Sequence, residues 1–223
     1  VFVADGPKPM MIDEIQRGGD DLVLAIKSAV DRSAERGQFV LAGSTRFLAT
    51  PSLSESLAGR ASIIEVWPFA EQELNGGDKS FLERAFDEPE SFRTTTQSSY
   101  GRADYFDLIA RGFYPRGPLV ETFIANELAK QATWAPYRLN LFHWRVSQGA
   151  EVDLVVERTN GRVIGVEAKA TDAVDLKDFK GLTTLRDALG EEFVHGFVLY
   201  TGKRSLAFGD RLTALPISAL WDR

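Results

Sequence analysis

Cysteine is absent from the 223 residues. That excludes disulfides, thiolate metal sites and cysteine nucleophiles. It also suits a reducing compartment, so a cytoplasmic protein is expected. Histidine occurs twice, as His143 and His195, too few for a histidine-based metal centre. Both lie in apolar runs and read as core or edge residues. No apolar run approaches the roughly 18 residues of a membrane span, so no membrane partner is expected. Repeats and low-complexity segments are missing. A basic excess is missing too: 26 Lys+Arg face 32 Asp+Glu, a net charge of −6, so no global field draws nucleic acid. Phosphate contacts would have to be local, and Arg138, Arg145, Lys177 and Lys180 offer them, although each also reads as part of a solvated face. The phosphate-cradling pattern G-x-x-x-x-G-K-[ST] does not occur. The chain opens Val1-Phe2-Val3 rather than with Met, so a lost N-terminus is expected, and any targeting segment with it.

What is present is ordinary for a folded protein. Apolar residues make up 44%, and 223 residues are enough for one large domain or two small ones. In the first third, Met10-Met11-Ile12 is a short apolar run ending in Asp13-Glu14. A buried strand that delivers two acids at its C-terminal end is the Walker B pattern, in which the first acid holds Mg²⁺ through water and the second polarises the attacking water. A strand followed by an ordinary acidic turn explains the same residues. Leu22, Val23, Ile26, Ala29 and Val30 recur at helical spacing, with Asp20 or Asp21 as cap and Gly37 as stop. Gln38–Ala42 is a second buried strand, whose polar tip Gly43-Ser44-Thr45 would lie beside Asp13-Glu14 in a parallel sheet. Pro51 opens a helix ending at Ala58-Gly59-Arg60, and Ser62–Trp67 reads as a third strand. Residues 70–117 carry two short helical patterns, at Phe81–Phe86 and Tyr105–Ala110, around the polar stretch Thr94–Ser99.

That order resembles the second half of an AAA+ ATPase core. Ile12–Gln16, Leu41–Ser44, Leu57–Arg60 and Trp67-Pro68-Phe69 with Glu71 and Glu73-Leu74 look like a prokaryotic family in which an AAA+-type ATPase is fused to a C-terminal domain of unknown function with a restriction-endonuclease-like core. The resemblance implies that Asp13 holds Mg²⁺ and Glu14 is catalytic. Ser44 would be a sensor residue and Arg60 an arginine finger serving a neighbouring copy in a homo-oligomer. Arg60 reads equally well as a surface arginine near a helix C-terminus. The expected domains are an ATPase part at 1–75, a helical connector at 76–117, and a nuclease-like domain at 118–223. The connector looks short for the family, which predicts missing residues near 114–118. The resemblance also implies a phosphate-binding loop upstream of Val1, without which this polypeptide alone is not expected to bind ATP tightly.

The last hundred residues read helix, three strands, helix, strand, an α/β sandwich about one mixed sheet. Leu119, Val120, Phe123, Ile124 and Leu128 make the stripe of the first helix. Two strands, Glu151–Val156 and Gly165–Lys169, flank the turn Thr159-Asn160-Gly161. They carry Asp153, Glu167 and Lys169. This set resembles the PD-(D/E)xK nuclease fold in the form of archaeal Holliday-junction resolvases, with Gly117 and Glu121 on the first helix, Val152–Val155 on one strand and Glu167-Ala168-Lys169 on the next. The resemblance implies Mg²⁺ or Mn²⁺ on Asp153 and Glu167, with Lys169 and Glu121 assisting, and DNA or RNA as substrate. Hard cations prefer such carboxylates, and phosphodiester hydrolysis needs the cation to lower the pKa of the attacking water.

Register decides whether the two acids can meet. Asp153 opposes Glu167 only if the turn has three residues with Gly161 in the left-handed conformation; a two-residue Asn160-Gly161 turn would need a bulge to bring them together. Two solvated strand acids with Lys169 as ion-pair partner remain the plain alternative. Glu127, inside the apolar stripe, competes with Glu121 and would otherwise be a buried acid paired with an arginine. The leading reading is an ATP-binding protein with a metal-dependent nuclease or nucleic-acid-binding module. The rival is an ATP-switched interaction protein with a non-catalytic nuclease-like scaffold.

Overall fold

The computed structural model describes residue 3 and residues 6–43, 56–76, 78–94, 97–111, 119–147 and 149–222. Pro51, Ser44 and the stretch around 114–118 lie outside them. The chain divides into two compact units, Val1–Val66 and Trp67–Arg223.

In the first unit, strands β1 (Met10–Ile12) and β2 (Phe39–Leu41) pair in parallel, with Ile12 beside Leu41. Helix α1 (Gly19–Asp31) connects them. It buries Val23 and Ile26 with Ile15 and Leu57, the face that its apolar spacing predicts. Asp20 and Asp21 sit inside its first turn, behind an N-cap at Gly18. The helix stops at Asp31, well before Gly37. The apolar stripe runs out after Val30, and the Ser33 hydroxyl accepts the Glu35 N–H (3.2 Å), a local bond that competes with further helix. The strand expected at Ser62–Trp67 does not form. Ile63, Ile64 and Val66 are 69–88% exposed. β-Branched residues favour a strand only when a ladder partner is present, and no described strand pairs with this segment.

The second unit is a mixed α/β sandwich. It begins with α2 (Glu71–Asn75), α3 (Phe81–Asp87) and α4 (Arg102–Arg111), followed by α5 (Leu119–Trp134). Strands β3 (Leu139–Arg145), β4 (Glu151–Arg158), β5 (Val163–Lys169), β6 (Phe193–Tyr200), β7 (Leu206–Ala207) and β8 (Leu212–Pro216) form one sheet in the order β3-β4-β5-β6-β8-β7. The β3-β4-β5 meander is antiparallel, whereas β5, β6 and β8 run parallel. Helix α6 (Lys180–Leu189) supplies the crossover between β5 and β6. α3, α4 and α5 cover one face through Phe81, Tyr105, Phe123 and Ile124, which pack on Val166, Ala168 and Phe197. α6 covers the other through Leu182 and Leu185 against Val152, Val163 and Val198. With both faces covered, all eight residues of β6 are buried, as its unbroken apolar run requires.

Candidate functional site

The hairpin β4–β5 takes the register that would bring the acids together. Leu154 pairs with Val166, and the ladder runs to Glu157 with Val163. Its turn is Thr159-Asn160-Gly161: Arg158 N–H donates to Arg162 O (2.9 Å), and Gly161 has φ +82°. Continuing the ladder one step sets Asp153 opposite Glu167. There the strands stop exchanging main-chain bonds and side chains replace them. The Asp153 Oδ2 accepts the Ala168 N–H (2.8 Å), and a Glu167 Oε2 accepts the Asp153 N–H (3.4 Å). The reason is a bulge. Between Phe142–Val155 and Trp144–Val152, β4 spends one more residue than β3, so Asp153 and Leu154 together face His143. His143 is exposed, and its Nδ1 lies 3.4 Å from the Asp153 carbonyl.

Lys169 completes the group. Its Nζ donates to Glu167 Oε1 (2.8 Å), with side chains 30% and 12% exposed. Burial pushes the Glu167 carboxyl above the ordinary carboxylate range, and Asp153 adds to this, while the Lys169 hydrogen bond works against it. Burial disfavours the Lys169 ammonium, but Glu167, Asp153 and Asp178 outweigh it and hold its pKa above the usual lysine value. Glu121, exposed on the first turn of α5, is raised by desolvation first and then by the Asp153 charge, with Lys169 opposing. The four side chains therefore share one electrostatic neighbourhood. Two opposed carboxylates are hard oxygen donors suited to Mg²⁺ or Mn²⁺. Among the described residues, however, no three His, Asp or Glu groups are arranged to hold an ion.

Glu127 is not part of this group. It is buried (1% exposed) and paired with Lys130 (4%), not with an arginine. Lys130 stands one turn along the same helix, an i, i+3 spacing legible in Glu127–Lys130 itself. Glu127 Oε1 accepts from Lys130 Nζ (2.7 Å) and Oε2 accepts the Glu71 N–H (2.8 Å), while Lys130 Nζ also reaches Phe69 O (3.2 Å).

In the first unit, Asp13 and Glu14 follow β1 on the exposed tip of the parallel pair. Ala42 N–H donates to Ile12 O (2.9 Å) and Ile15 N–H to Ala42 O (3.1 Å), so the ends of β1 and β2 lie together as the parallel reading requires. Asp13 Oδ1 accepts the Glu14 N–H (2.9 Å), and Glu14 takes a left-handed φ of 48° with its carboxylate bonded to Gln16. Arg60 Nε binds Asp31 (2.6 Å), and its Nη1 reaches Ala58 O (3.2 Å). Its partners in this structure are those of a surface arginine. Arg145 and Lys177 face Glu151 and Asp175 at 3.7 and 3.9 Å on the surface, and Trp221 is packed in the core against Tyr100 and Phe123.

Residues 2–75 match the family model of an AAA domain, and residues 116–220 match that of a domain of unknown function, DUF4143. The chain therefore fuses an AAA-type unit, a class with ATP-binding, ATPase-like function, to a domain to which no activity is assigned. No curated protein and no solved structure gave a significant match. Among the described residues, no helix is long and apolar enough to cross a membrane.

Proposed function

We propose that the chain is an ATP-binding protein, an ATPase when a phosphate-binding loop is present, whose C-terminal domain engages the phosphodiester backbone of DNA or RNA through a PD-(D/E)xK-like site. The observation that carries this reading is the hairpin register, which sets Asp153 and Glu167 on opposed positions with Lys169 bonded to one of them. In the first unit, Asp13 would hold the Mg²⁺ of the nucleotide and Glu14 would polarise water, with Ser44 beside the phosphates. Arg60 could serve a neighbouring copy by leaving Asp31, since exposed ion pairs hold with only about 0–1 kcal/mol. In the second unit, Asp153 and Glu167 would hold one Mg²⁺ or Mn²⁺. Such an ion supplies charge neutralisation at phosphorus and a more acidic bound water. Asp153 is oriented for this by the Ala168 amide, and Glu167 by the Asp153 amide. Lys169 would trade its bond to Glu167 for a phosphate oxygen, and Glu121 would orient water at the edge. The lack of cysteine suits a cytoplasmic setting.

The second reading, an ATP-switched interaction protein with a non-catalytic C-terminal scaffold, draws support from the Lys169–Glu167 pair, which satisfies both charges without a cation. Calorimetric titration with Mn²⁺, followed by cleavage assays on branched and single-stranded DNA and on RNA, separates the two. The nuclease reading expects Mn²⁺ binding that Asp153→Ala reduces at least tenfold, and cleavage that the same variant abolishes. No binding and no cleavage, with Asp153→Ala matching the parent, establishes the scaffold reading.

A further inference from the structure

Glu127 and Lys130 are the most deeply buried charges among the described residues, and the site chemistry uses neither. Ion pairs in such a position contribute little net stability compared with apolar residues of the same shape, because both partners give up hydration. What this pair does is hold something. Beyond its own bond, the pair's side chains reach back to one short segment, with Lys130 Nζ donating to the Phe69 carbonyl and Glu127 accepting the Glu71 amide. The Ala70 amide between them is held by Glu73 Oε2 (2.7 Å), and Ala70 itself is fully buried. The main chain of residues 69–71 is thus pegged at three consecutive positions. That segment begins two residues after the chain passes from the first unit into the second, between Val66 and Trp67.

The peg sits on α5. Six residues toward its N-terminus, about 9 Å along the axis, the same helix carries Glu121, which feels the charges of Asp153 and Lys169. Between the two positions α5 packs through Phe123, Ile124 and Leu128 against Val166 and Ala168, the buried face of the strand that bears Glu167 and Lys169. A close-packed helix moves as a body, so a displacement at Phe69–Glu71 reaches Glu121 without any intermediate loop.

We propose that Glu127 and Lys130 form a latch that ties the start of the second unit to helix α5 and so couples the nucleotide state of the AAA-type unit to the acid–lysine cluster of the C-terminal domain. The idea rests on the function proposed above and names how that site is regulated. Two charges serve this purpose better than two leucines would, because they grip main-chain atoms directionally, whereas apolar packing would allow the segment to slide.

The test uses a form of the protein that carries a phosphate-binding loop, a non-hydrolysable ATP analogue with Mg²⁺, and hydrogen–deuterium exchange. The variant is the double replacement Glu127→Leu/Lys130→Met, which removes both charges together and so leaves no orphan ion to unfold the domain. The expected result is a nucleotide-dependent change in protection at residues 119–125 in the parent that falls at least fivefold in the double variant, with analogue affinity unchanged. If the double variant fails to fold, Lys130→Arg serves instead, with a longer reach that should shift rather than abolish the change. The latch is overturned if 119–125 does not respond to nucleotide in the parent, or if the variant responds equally. Failure of the analogue to bind at all overturns the ATPase reading, which the binding measurement reports by itself.

Discussion

His195 shows how a single buried group sets a pH limit. It is fully enclosed, its Nε2 lies 2.9 Å from Thr213 Oγ1, and its ring stacks on Phe197. Burial lowers its pKa from 6.5 to about 4. The folded protein thus declines a proton that the unfolded chain accepts below about 6.5. The stability linked to neutral His195 is complete above that value and is lost as pH falls toward 4, by up to about 3 kcal/mol. Urea denaturation at pH 7.0 and 4.5 should show a markedly smaller loss for His195→Gln than for the parent; equal losses would show that another group controls the acid limb. The residues around the candidate site were legible to different degrees. Asp153, Glu167 and Lys169 could be paired on paper because Thr159-Asn160-Gly161 supplies the turn chemistry that sets register. The bulge opposite His143 could not, because it arises from the mismatch between β3 and β4 and no local residue marks it. Ser44 lies outside the described residues.

At the scale of elements, helix α6 is seated by glycines. A Cβ on Gly181 would lie 1.9 Å from the Glu151 carbonyl oxygen, and one on Gly165 would lie 2.6 Å from Leu182 Cδ2. Gly196 is equally confined, 2.8 Å from Leu212 Cδ2. The Leu182 side chain can turn aside, but the Glu151 carbonyl is main chain and begins the strand that holds Asp153. Gly181→Ala should therefore cost about 1–3 kcal/mol in urea denaturation, as overpacking does, and should weaken Mn²⁺ binding along with stability. A variant as stable as its parent would mean that α6 can lift without disturbing β4. The existence of α3, α4, α5, α6 and the strands β3 to β6 was readable from apolar period and turn residues. The end of α1 and the fate of Ser62–Trp67 were not, since each depends on whether tertiary neighbours exist to bury the next apolar residue.

The whole molecule is uneven. Among the described residues, the first unit is cored by Ile15, Val23, Ile26 and Leu57, whereas the second has two clusters that clothe both faces of a six-stranded sheet. Burial scales with core size, so opening should be easier in the first unit. Limited proteolysis should cut within residues 1–66 first and leave a resistant product beginning near Trp67; initial cleavage inside 119–222 would contradict this ordering. The AAA-domain match extends to residue 75, past the point where compactness changes, because sequence families follow ancestry while compactness follows contacts. The segment 67–75 therefore belongs to one unit by descent and to the other by packing.

Ile63, Ile64 and Val66 give that unevenness a colloidal side. They form a β-prone run with one charge, Glu65, and no proline before Pro68, and they face solvent. Such a run can nucleate edge-to-edge association between molecules, so solubility should fall steeply with concentration long before the second unit begins to unfold. A lysine at position 64 would act as a gatekeeper, and light scattering would register its effect while leaving the melting of the larger unit untouched.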